Sequence, residues 1–405
     1  MELHPFLELD TPPNPGWWYV LTTTGECPSM RVGHTCTYMR GQRDDDAGRV
    51  YVIGGANPSG PFCETYILDL NTRTWDVVES VGLRPRYEHA AFAPPSCAHK
   101  IYVFGGANQA GNLNDIQVLD TISNTWSTVA VTGSLPAPRT HHTTATVGDK
   151  LIVYSGGHQG ADPVGDRQVH CFDAIKEQWS VLTLRGESPK PRHGHVMVSV
   201  GSRVFLHGGM AGSTFYDDLH ILDLEKNAWI NVKKKKMFPS ARAAHGAVCS
   251  GTNIFIFGGM NRDGALDDLY KLDTMSMVWT QLQLCGPPPA SRLDFAICMI
   301  ELHVPRTKGG RNDEDNLSKA SGHAREVLEH EMKPGSASSR ESWTDGGEEA
   351  SCMQANNKGD QREDCQKASA AVESDSIETV WACLVNGGMD TEGEIFDDTL
   401  VFPLM

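Results

Sequence analysis

The sequence predicts an all-β protein, a six-bladed β-propeller whose ring is closed by an N-terminal strand, and three patterns in the chain support this prediction. The first is a Gly-Gly pair, which follows an apolar run six times along the 405 residues. The pairs are Gly54–Gly55, Gly105–Gly106, Gly156–Gly157, Gly208–Gly209, Gly258–Gly259 and Gly387–Gly388. The first five are 50–52 residues apart, and apolar strands recurring at that interval predict one four-stranded blade per repeat.

The second pattern consists of three further positions that keep this period. An aspartate ends an apolar run after each of the first five pairs, at Asp69, Asp120, Asp173, Asp223 and Asp273. A tryptophan stands six residues later, at Trp75, Trp126, Trp179, Trp229 and Trp279. Upstream of the glycines lies Arg-x-x-His, at Arg31/His34, Arg86/His89, Arg139/His142, Arg192/His195 and Arg242/His245, and Phe295 replaces the histidine after Arg292.

Each repeat therefore contains four short apolar runs separated by turn residues, which is typical of strands. We expect the first strand after Arg-x-x-His, the second before Gly-Gly, the third ending at the aspartate and the fourth carrying the tryptophan. The glycines allow the backbone to bend where a Cβ atom would interfere. The tryptophan provides each blade with a large apolar surface to pack on its neighbour.

The third pattern is found at the two ends of the chain. The stretch WWYVL (17–21) resembles a fourth strand without the first three, and the last repeat stops after its third strand. An N-terminal strand that completes blade six would close the ring and remove an exposed sheet edge. The propeller then comprises residues 17–302 (blades one to five and the start of blade six) and 381–403 (the rest of blade six).

The segment 303–380 interrupts blade six between its first and second strands. It is rich in serine and holds ten basic against sixteen acidic residues. Such a composition buries too little apolar surface to order itself, so the sequence predicts a disordered acidic insertion. A long insertion at a loop tip costs little in closure entropy.

The overall composition limits the classes of partner and the compartment. The formal net charge of −16 argues against a nucleic-acid binder and against a protein held on anionic membranes by its net charge. None of the eleven cysteines forms a C-x-x-C pair, and the N-terminus has neither a basic nor a long apolar region. We expect reduced thiols, no secretory signal and no membrane span, and hence a cytoplasmic protein.

The motif set resembles the kelch repeat over almost the whole chain outside the insertion. The stretches RVGHTCTY, VFGGANQAGN, PRHGHVMV and GGMDTEGEIFDD resemble one small group of kelch proteins that are Rab effectors. The resemblance implies a GTP-bound Rab GTPase of late endosomes as partner, and transport of mannose-6-phosphate receptors from endosomes to the trans-Golgi network. It implies peripheral attachment to these membranes, with other trafficking proteins or endosomal lipid-kinase complexes as further partners. The alternative is a substrate-recruiting adapter for a ubiquitin ligase.

The loops after Gly-Gly vary most between repeats, and a rigid scaffold concentrates function on such loops. Aromatic and arginine side chains are the usual anchors of an interface. The candidate interaction residues are Phe62, His158, Phe215, Tyr216, Arg262 and Phe396. Local packing within each loop explains these residues equally well.

The periodic histidines would lie on equivalent inner strands, where they could hold a metal in the central channel. Because they follow the symmetry of the repeat, which a catalytic site usually breaks, we expect each to hydrogen-bond within its own blade. The sequence predicts no enzyme activity and no cofactor. The basic run Lys233–Lys236 is expected to form a solvated loop, with docking of an acidic partner or an anionic lipid as the alternative.

Overall fold

The structure is a computed structural model that describes residues 4–78, 82–141, 144–159, 162–234, 237–305 and 377–404. In this part of the chain all regular secondary structure is β-strand. Six antiparallel four-stranded sheets surround a central channel, so the predicted six-bladed propeller is confirmed.

Within each blade the first strand lies innermost and the fourth outermost. The first strands are Thr35–Met39, Ala90–Phe92, Thr144–Val147, His193–Val200, Gly246–Ser250 and Ala296–Pro305. The second strands are Arg49–Ile53, Lys100–Phe104, Lys150–Tyr154, Arg203–Ala211, Asn253–Phe257 and Ile377–Asn386. The third strands are Thr65–Asp69, Ile116–Asp120, Val169–Asp173, Leu219–Asp223, Leu269–Asp273 and Thr399–Pro403. The fourth strands are Thr74–Val78, Thr125–Thr128, Gln178–Val181, Ala228–Val232, Val278–Gln281 and Tyr19–Leu21.

The N-terminal strand completes blade six, as the sequence predicts. Tyr19–Leu21 pairs antiparallel with Thr399–Pro403. An outer strand that the sequence did not predict, Phe6–Leu7, then pairs parallel with Tyr19–Leu21. Similar short parallel strands cover the outer edges of blades one and three, at Thr24–Gly25 and Thr132–Gly133. The chain segment that enters each of these blades therefore covers the outer edge of that same blade, which protects the edge from pairing with other chains.

The aspartates that end the third strands stabilise the turn into the fourth. The Asp273 carboxylate accepts hydrogen bonds from the backbone N–H groups of Met275 and Ser276, at 2.8 and 3.1 Å. Equivalent bonds form at Asp69, Asp120, Asp173 and Asp223. Blade six has no such turn, since its fourth strand comes from the other end of the chain, and its third strand ends at Pro403.

The core consists of layers between neighbouring blades. Each fourth-strand tryptophan is at least nine-tenths buried. Trp18, which directly precedes the N-terminal strand, is the sixth member of this series, with 1% of its surface exposed. The Trp18 ring packs on Phe257 of blade five and Phe402 of blade six, with centroids 4.9 and 5.1 Å apart. This packing makes the ring closure an apolar junction as well as a hydrogen-bonded one.

The repeated arginines join each blade to the next. Each guanidinium donates from Nη1 to the carbonyl of the first residue of its own glycine pair, at 2.9–3.1 Å. The N–H of the second glycine in turn donates to the backbone carbonyl of the next blade's arginine, at 2.8–3.1 Å. The last of these bonds, from Gly388 to Arg31, connects blade six to blade one. The repeated spacing of arginine and Gly-Gly in the sequence therefore reflects a hydrogen-bonded junction that forms between each of the six blades and the next.

Blade three departs from the predicted register by one residue. The carbonyl that accepts from Arg139 belongs to Ser155, and the N–H that reaches Arg192 belongs to Gly156. The structural pair is therefore Ser155–Gly156, and the assignment of Gly157 to this position was wrong. Ser155 adopts φ 55° in place of a glycine, and its hydroxyl oxygen accepts the N–H of Arg192 at 2.8 Å.

The two inner strands of blade six extend beyond the sequence boundaries of the insertion. They pair continuously from Ala296 with Asn386 to Pro305 with Ile377, so residues 303–305 and 377–380 belong to the sheet. The predicted disorder of the remaining segment, 306–376, lies outside the described residues.

Candidate functional site: the glycine face and its channel mouth

The glycine face is the side of the propeller where the second strands end at their glycine pairs and the first strands begin. It holds the loops between second and third strands, and these contact each other around the ring. Asn112 of blade two donates to the backbone carbonyl of His158 in blade three at 2.7 Å. Arg262 of blade five donates to the carbonyl of Ser213 in blade four at 3.3 Å. These loops thus form one surface supported by the junctions beneath it.

Three of the candidate interaction residues occupy one repeated position on this face. Phe62, Tyr216 and Phe396 are half-buried, and each donates its backbone N–H to the carbonyl of the second glycine. Their rings lie 4.1–4.4 Å from the guanidinium carbons of their blades' arginines. One face of each ring therefore covers a buried cation, a favourable arrangement.

The other three candidates lie in different loops. His158 and Arg262 are exposed, whereas Phe215 is half-buried in a short hairpin opposite Met210. The six candidates are thus spread over blades one, three, four, five and six. The structure does not bring them together into one patch.

Three of the periodic histidines hydrogen-bond to the preceding blade, so the expectation of hydrogen bonds within the same blade was wrong for these three. His34 bonds Asn386 of blade six at 3.0 Å, and His89 bonds Thr35 of blade one at 3.1 Å. In the same way His245 bonds His207 of blade four at 3.1 Å. The reason is geometric, since the innermost strands converge on the axis and a side chain there reaches the neighbouring sheet. His142 lies outside the described residues.

Burial keeps His34, His207 and His245 neutral. Desolvation, aided by the charge of Arg31, lowers the pKa of His34 to about 3. Desolvation and Arg242 lower the pKa of His207 to about 3, and that of His245 is also well below its usual value. In the described part of the chain, no group of three or more His, Cys, Asp or Glu side chains is arranged to hold a metal ion.

The channel mouth is formed by the residue that precedes the periodic histidine in each blade. Its members are Gly33, Glu88, His141, Gly194, Ala244 and Asp294, and all have φ between 41° and 63°. They are joined by backbone hydrogen bonds between neighbouring blades. The N–H groups of Gly33, Glu88, Gly194, Ala244 and Asp294 donate to the carbonyls of Asp294, Gly33, His141, Gly194 and Ala244, respectively. Left-handed backbone at four non-glycine residues is costly, and here the ring of hydrogen bonds holds it.

Charged side chains surround this mouth. His141 Nε2 lies 2.8 Å from Glu88 Oε1, and His141 Nδ1 lies 3.9 Å from Asp294 Oδ1. Burial lowers the pKa of the His141 imidazole, but the hydrogen bond to Glu88 and the charges of Glu88 and Asp294 outweigh it and raise the pKa to about 9. A cavity of about 130 Å³ opens here, lined by residues of all six blades. Burial raises the pKa of the Asp294 carboxyl, and the nearby charge of His141 opposes this rise.

Glu88, Asp294 and Trp18 are not among the residues that the sequence patterns predict. Aligning the six Arg-x-x-His motifs at their third position would have revealed an acidic residue in two blades and a histidine in a third. The WWYVL stretch contained the sixth tryptophan at the spacing of a fourth strand.

The basic run is only partly described. Lys233 and Lys234 are exposed, and Lys234 pairs with Asp217. Lys235 and Lys236 lie outside the described residues. In the part of the chain that the structure covers, we find no helix that could cross a bilayer.

Comparison with known proteins places the chain among kelch proteins. The family model "KLHDC2/KLHL20/DRC7 Kelch-repeats domain" matches residues 45–259 and 156–321. The chain is 45% identical over 402 residues to a mouse protein named Rab9 effector protein with kelch motifs, covering 99% of this chain and 97% of that protein. The rat protein of the same name is also 45% identical, and the match covers 99% of both chains. The human protein of that name is 47% identical over 220 residues, 54% of this chain and 59% of that one.

Proposed function

The chain belongs to the family of Rab9 effector proteins with kelch motifs, and on that premise we propose that it is a non-enzymatic Rab effector. It binds the GTP-bound form of a late-endosomal Rab GTPase and supports transport of mannose-6-phosphate receptors from endosomes to the trans-Golgi network. The protein is cytoplasmic and reaches these membranes peripherally through its partner. The observation that carries this proposal is the similarity over almost the whole chain to proteins of that name.

The glycine face is the surface on which we place the GTPase. Its loops differ between blades, whereas the junctions beneath them repeat six times, so the scaffold can present a specific surface without changing shape. GTP orders the switch loops of a GTPase, and hydrolysis releases them. A rigid face that contacts only the ordered loops binds the GTP state preferentially, because a partner shifts an equilibrium only by its differential affinity.

The test is a pulldown of the full chain against a panel of Rab proteins, each loaded with GDP or with a non-hydrolysable GTP analogue. We expect one Rab of late endosomes to be retained in the GTP form only. Equal retention of both nucleotide states, or retention of no Rab, would defeat the proposal.

The binding face is tested with single substitutions that preserve the scaffold. His158→Ala and Arg262→Ala remove exposed side chains of the glycine face, whereas Ile122→Ser and Met275→Ser change exposed turns at the opposite ends of the strands. We expect reduced retention for the first pair alone. The reverse pattern would move the binding site to the opposite face while leaving the effector role intact.

Transport and localisation are tested in cells. The tagged chain should be released from membranes when the Rab identified above is locked in its GDP state. Depletion of the chain should slow the return of the receptors, and unchanged receptor distribution would refute the transport role.

A further inference from the structure

Two cysteine side chains face each other across one junction of the propeller. Cys298 lies in the first strand of blade six and is 8% exposed, whereas Cys36 lies in the first strand of blade one and is partly exposed. Both pack in the same apolar cluster between these two blades. A hydrogen bond to the Cys36 sulfur, together with burial, raises the pKa of the Cys298 thiol well above its usual value. The two thiols are therefore in direct contact.

The repeat shows independently that these two strand positions meet. Cys36 is the second residue after the periodic His34, and Cys298 is the third after Phe295, which stands at the histidine position of blade six. At other junctions, the third residue of one blade and the second residue of the next also pack in one cluster. These pairs are Ala145 with Met197, Val198 with Ala247, and Val248 with Ile297.

Neighbouring first strands also approach closely enough for a covalent bridge. At the junction between blades five and six, a Cβ atom added to Gly246 would lie 2.8 Å from Ile297 Cγ2. An approach of this size is compatible with a disulfide, which joins Cβ atoms about 3.5–4.5 Å apart. The contact between the Cys36 and Cys298 thiols occupies the corresponding place between blades six and one.

This junction is the one at which the ring closes. The other five join blades that are consecutive in the chain, whereas blade six meets blade one across the two ends of the propeller sequence. In the described structure, this closure rests on the pairing of Tyr19–Leu21 with Thr399–Pro403 and on backbone hydrogen bonds such as that from Gly388 to Arg31. The sequence places a cysteine at both of these positions at this junction and at none of the other five.

Cys383, in the second strand of blade six, does not compete for Cys298. It pairs with Met299, whereas Cys298 pairs with Leu384, and its side chain packs in the cluster between blades five and six. The two side chains therefore lie on opposite faces of one sheet. In the described part of the chain, no group of three or more His, Cys, Asp or Glu side chains is arranged to hold a metal ion. The chemistry that this thiol pair supports is oxidation.

We propose that Cys36 and Cys298 are a redox modification site, at which a peroxide forms a reversible disulfide that closes the ring covalently. Hydrogen peroxide reaches Cys36, the more exposed thiol, whose thiolate attacks one peroxide oxygen to give a sulfenic acid and hydroxide. The Cys298 sulfur then attacks the Cys36 sulfur, and the sulfenic hydroxyl leaves as water with the proton of Cys298. The hydroxide takes up the proton that Cys36 released. Two thiols and one peroxide thus give one disulfide and two water molecules, and a dithiol reverses the oxidation.

The first experiment identifies the bond. The purified full chain is reduced, treated with hydrogen peroxide, alkylated with iodoacetamide and digested without reduction. Mass spectrometry should find the peptide of Cys36 linked to the peptide of Cys298, and dithiothreitol should separate them. Recovery of these two cysteines as alkylated peptides, as oxygen acids, or linked to other cysteines overturns the proposal.

The second experiment tests what the bond does, with variants whose side chains the repeat already accommodates. Cys36→Ala copies Ala247, and Cys298→Val copies Val248, since these residues occupy the equivalent positions of blade five. The matched control is Cys249→Ala, which removes a partly exposed first-strand thiol of blade five. Each variant and the wild type are melted before and after peroxide treatment.

Peroxide should raise the midpoint of thermal unfolding of the wild type and of Cys249→Ala by about 5 °C, because a cross-link across a long loop restricts the unfolded chain. The rise should be absent from Cys36→Ala and Cys298→Val, and dithiothreitol should reverse it. No rise in the wild type, or an equal rise in Cys36→Ala and Cys298→Val, would refute covalent ring closure by this pair. Both experiments omit the GTPase, so their outcome is independent of the effector role.

Discussion

The stability of the propeller should fall in mildly acidic solution because of histidines that are buried without charge between blades. His207 of blade four and His245 of blade five bond each other at 3.1 Å. Burial lowers the pKa of His207 to about 3 and that of His245 well below 6.5. Below pH 6.5 the unfolded chain therefore binds more protons than the folded one. The stabilisation is complete above pH 6.5 and is lost as the pH falls.

The magnitude follows from the pKa of His207 in the two states. With a folded pKa of about 3 and an unfolded one of about 6.5, a histidine costs roughly 2 kcal/mol of unfolding free energy between pH 7 and pH 5. His245 adds a loss of the same sign. The substitution that tests this is copied from the junction between blades five and six. There, Phe257 and Phe295 occupy the positions that His207 and His245 occupy one blade earlier, and their ring centroids are 5.4 Å apart. The variant His207→Phe/His245→Phe copies this uncharged pair.

The assay is urea unfolding of the full chain at pH 7, 6 and 5, followed by tryptophan fluorescence. From pH 7 to pH 5, the double variant should lose at least about 2 kcal/mol less than the wild type. Contributions of carboxylates are common to both proteins and cancel in the difference. The reverse graft, Phe257→His/Phe295→His, should steepen the pH dependence. Parallel pH profiles for wild type and double variant would refute the reasoning.

Three substitutions test the junctions, each by thermal or urea unfolding. Gly259→Ala should cost more than about 1 kcal/mol of unfolding free energy, because Gly259 has φ 89° and a Cβ there would meet a backbone carbonyl oxygen at 2.6 Å. The control is Gly251→Ala, where φ is also positive but no atom lies within 4 Å of the added Cβ, so the only cost is that of the left-handed backbone. Trp18→Ala should cost about 3–5 kcal/mol and expose the N-terminal strand to proteolysis, and intact protease resistance would contradict its role in ring closure. Asp398→Ala should cost about 3–5 kcal/mol, because the Arg292 guanidinium would stay buried without its carboxylate; a loss below about 1 kcal/mol would mean that water replaces the partner.

The arrangement of strands in this protein can be predicted from its sequence because the same turn residues and the same apolar runs recur in six repeats. Asp273 ends a third strand and Trp279 belongs to a fourth, and this holds in every blade where chain continuity allows it. The stretch Trp17–Leu21 has the pattern of a fourth strand without the other three strands of a blade, and the last repeat has three strands without a fourth. Their pairing can therefore be predicted from the sequence alone. Turn residues and apolar periodicity determine this strand order, and both can be read directly from the amino-acid sequence.

The candidate site could be predicted only in part, since its contacts cross between repeats. The sequence predicts Phe62, Tyr216 and Phe396 as interaction anchors, but in the structure each ring covers an arginine of its own blade on one side. Glu88 and Asp294 are separated by about two hundred residues and meet only at the channel axis. No spacing rule along the chain relates such positions.

The sequence by itself determined the number of blades, the order of strands within each and the strand that closes the ring, because these depend on periodicity and on short-range turns. Only the tertiary structure decided which blade each histidine touches, which residue replaces a glycine at Ser155, and which charges line the channel mouth. These depend on how six sheets converge on one axis. At that axis the innermost strands of neighbouring blades approach each other, and residues that are far apart in the sequence line one small cavity.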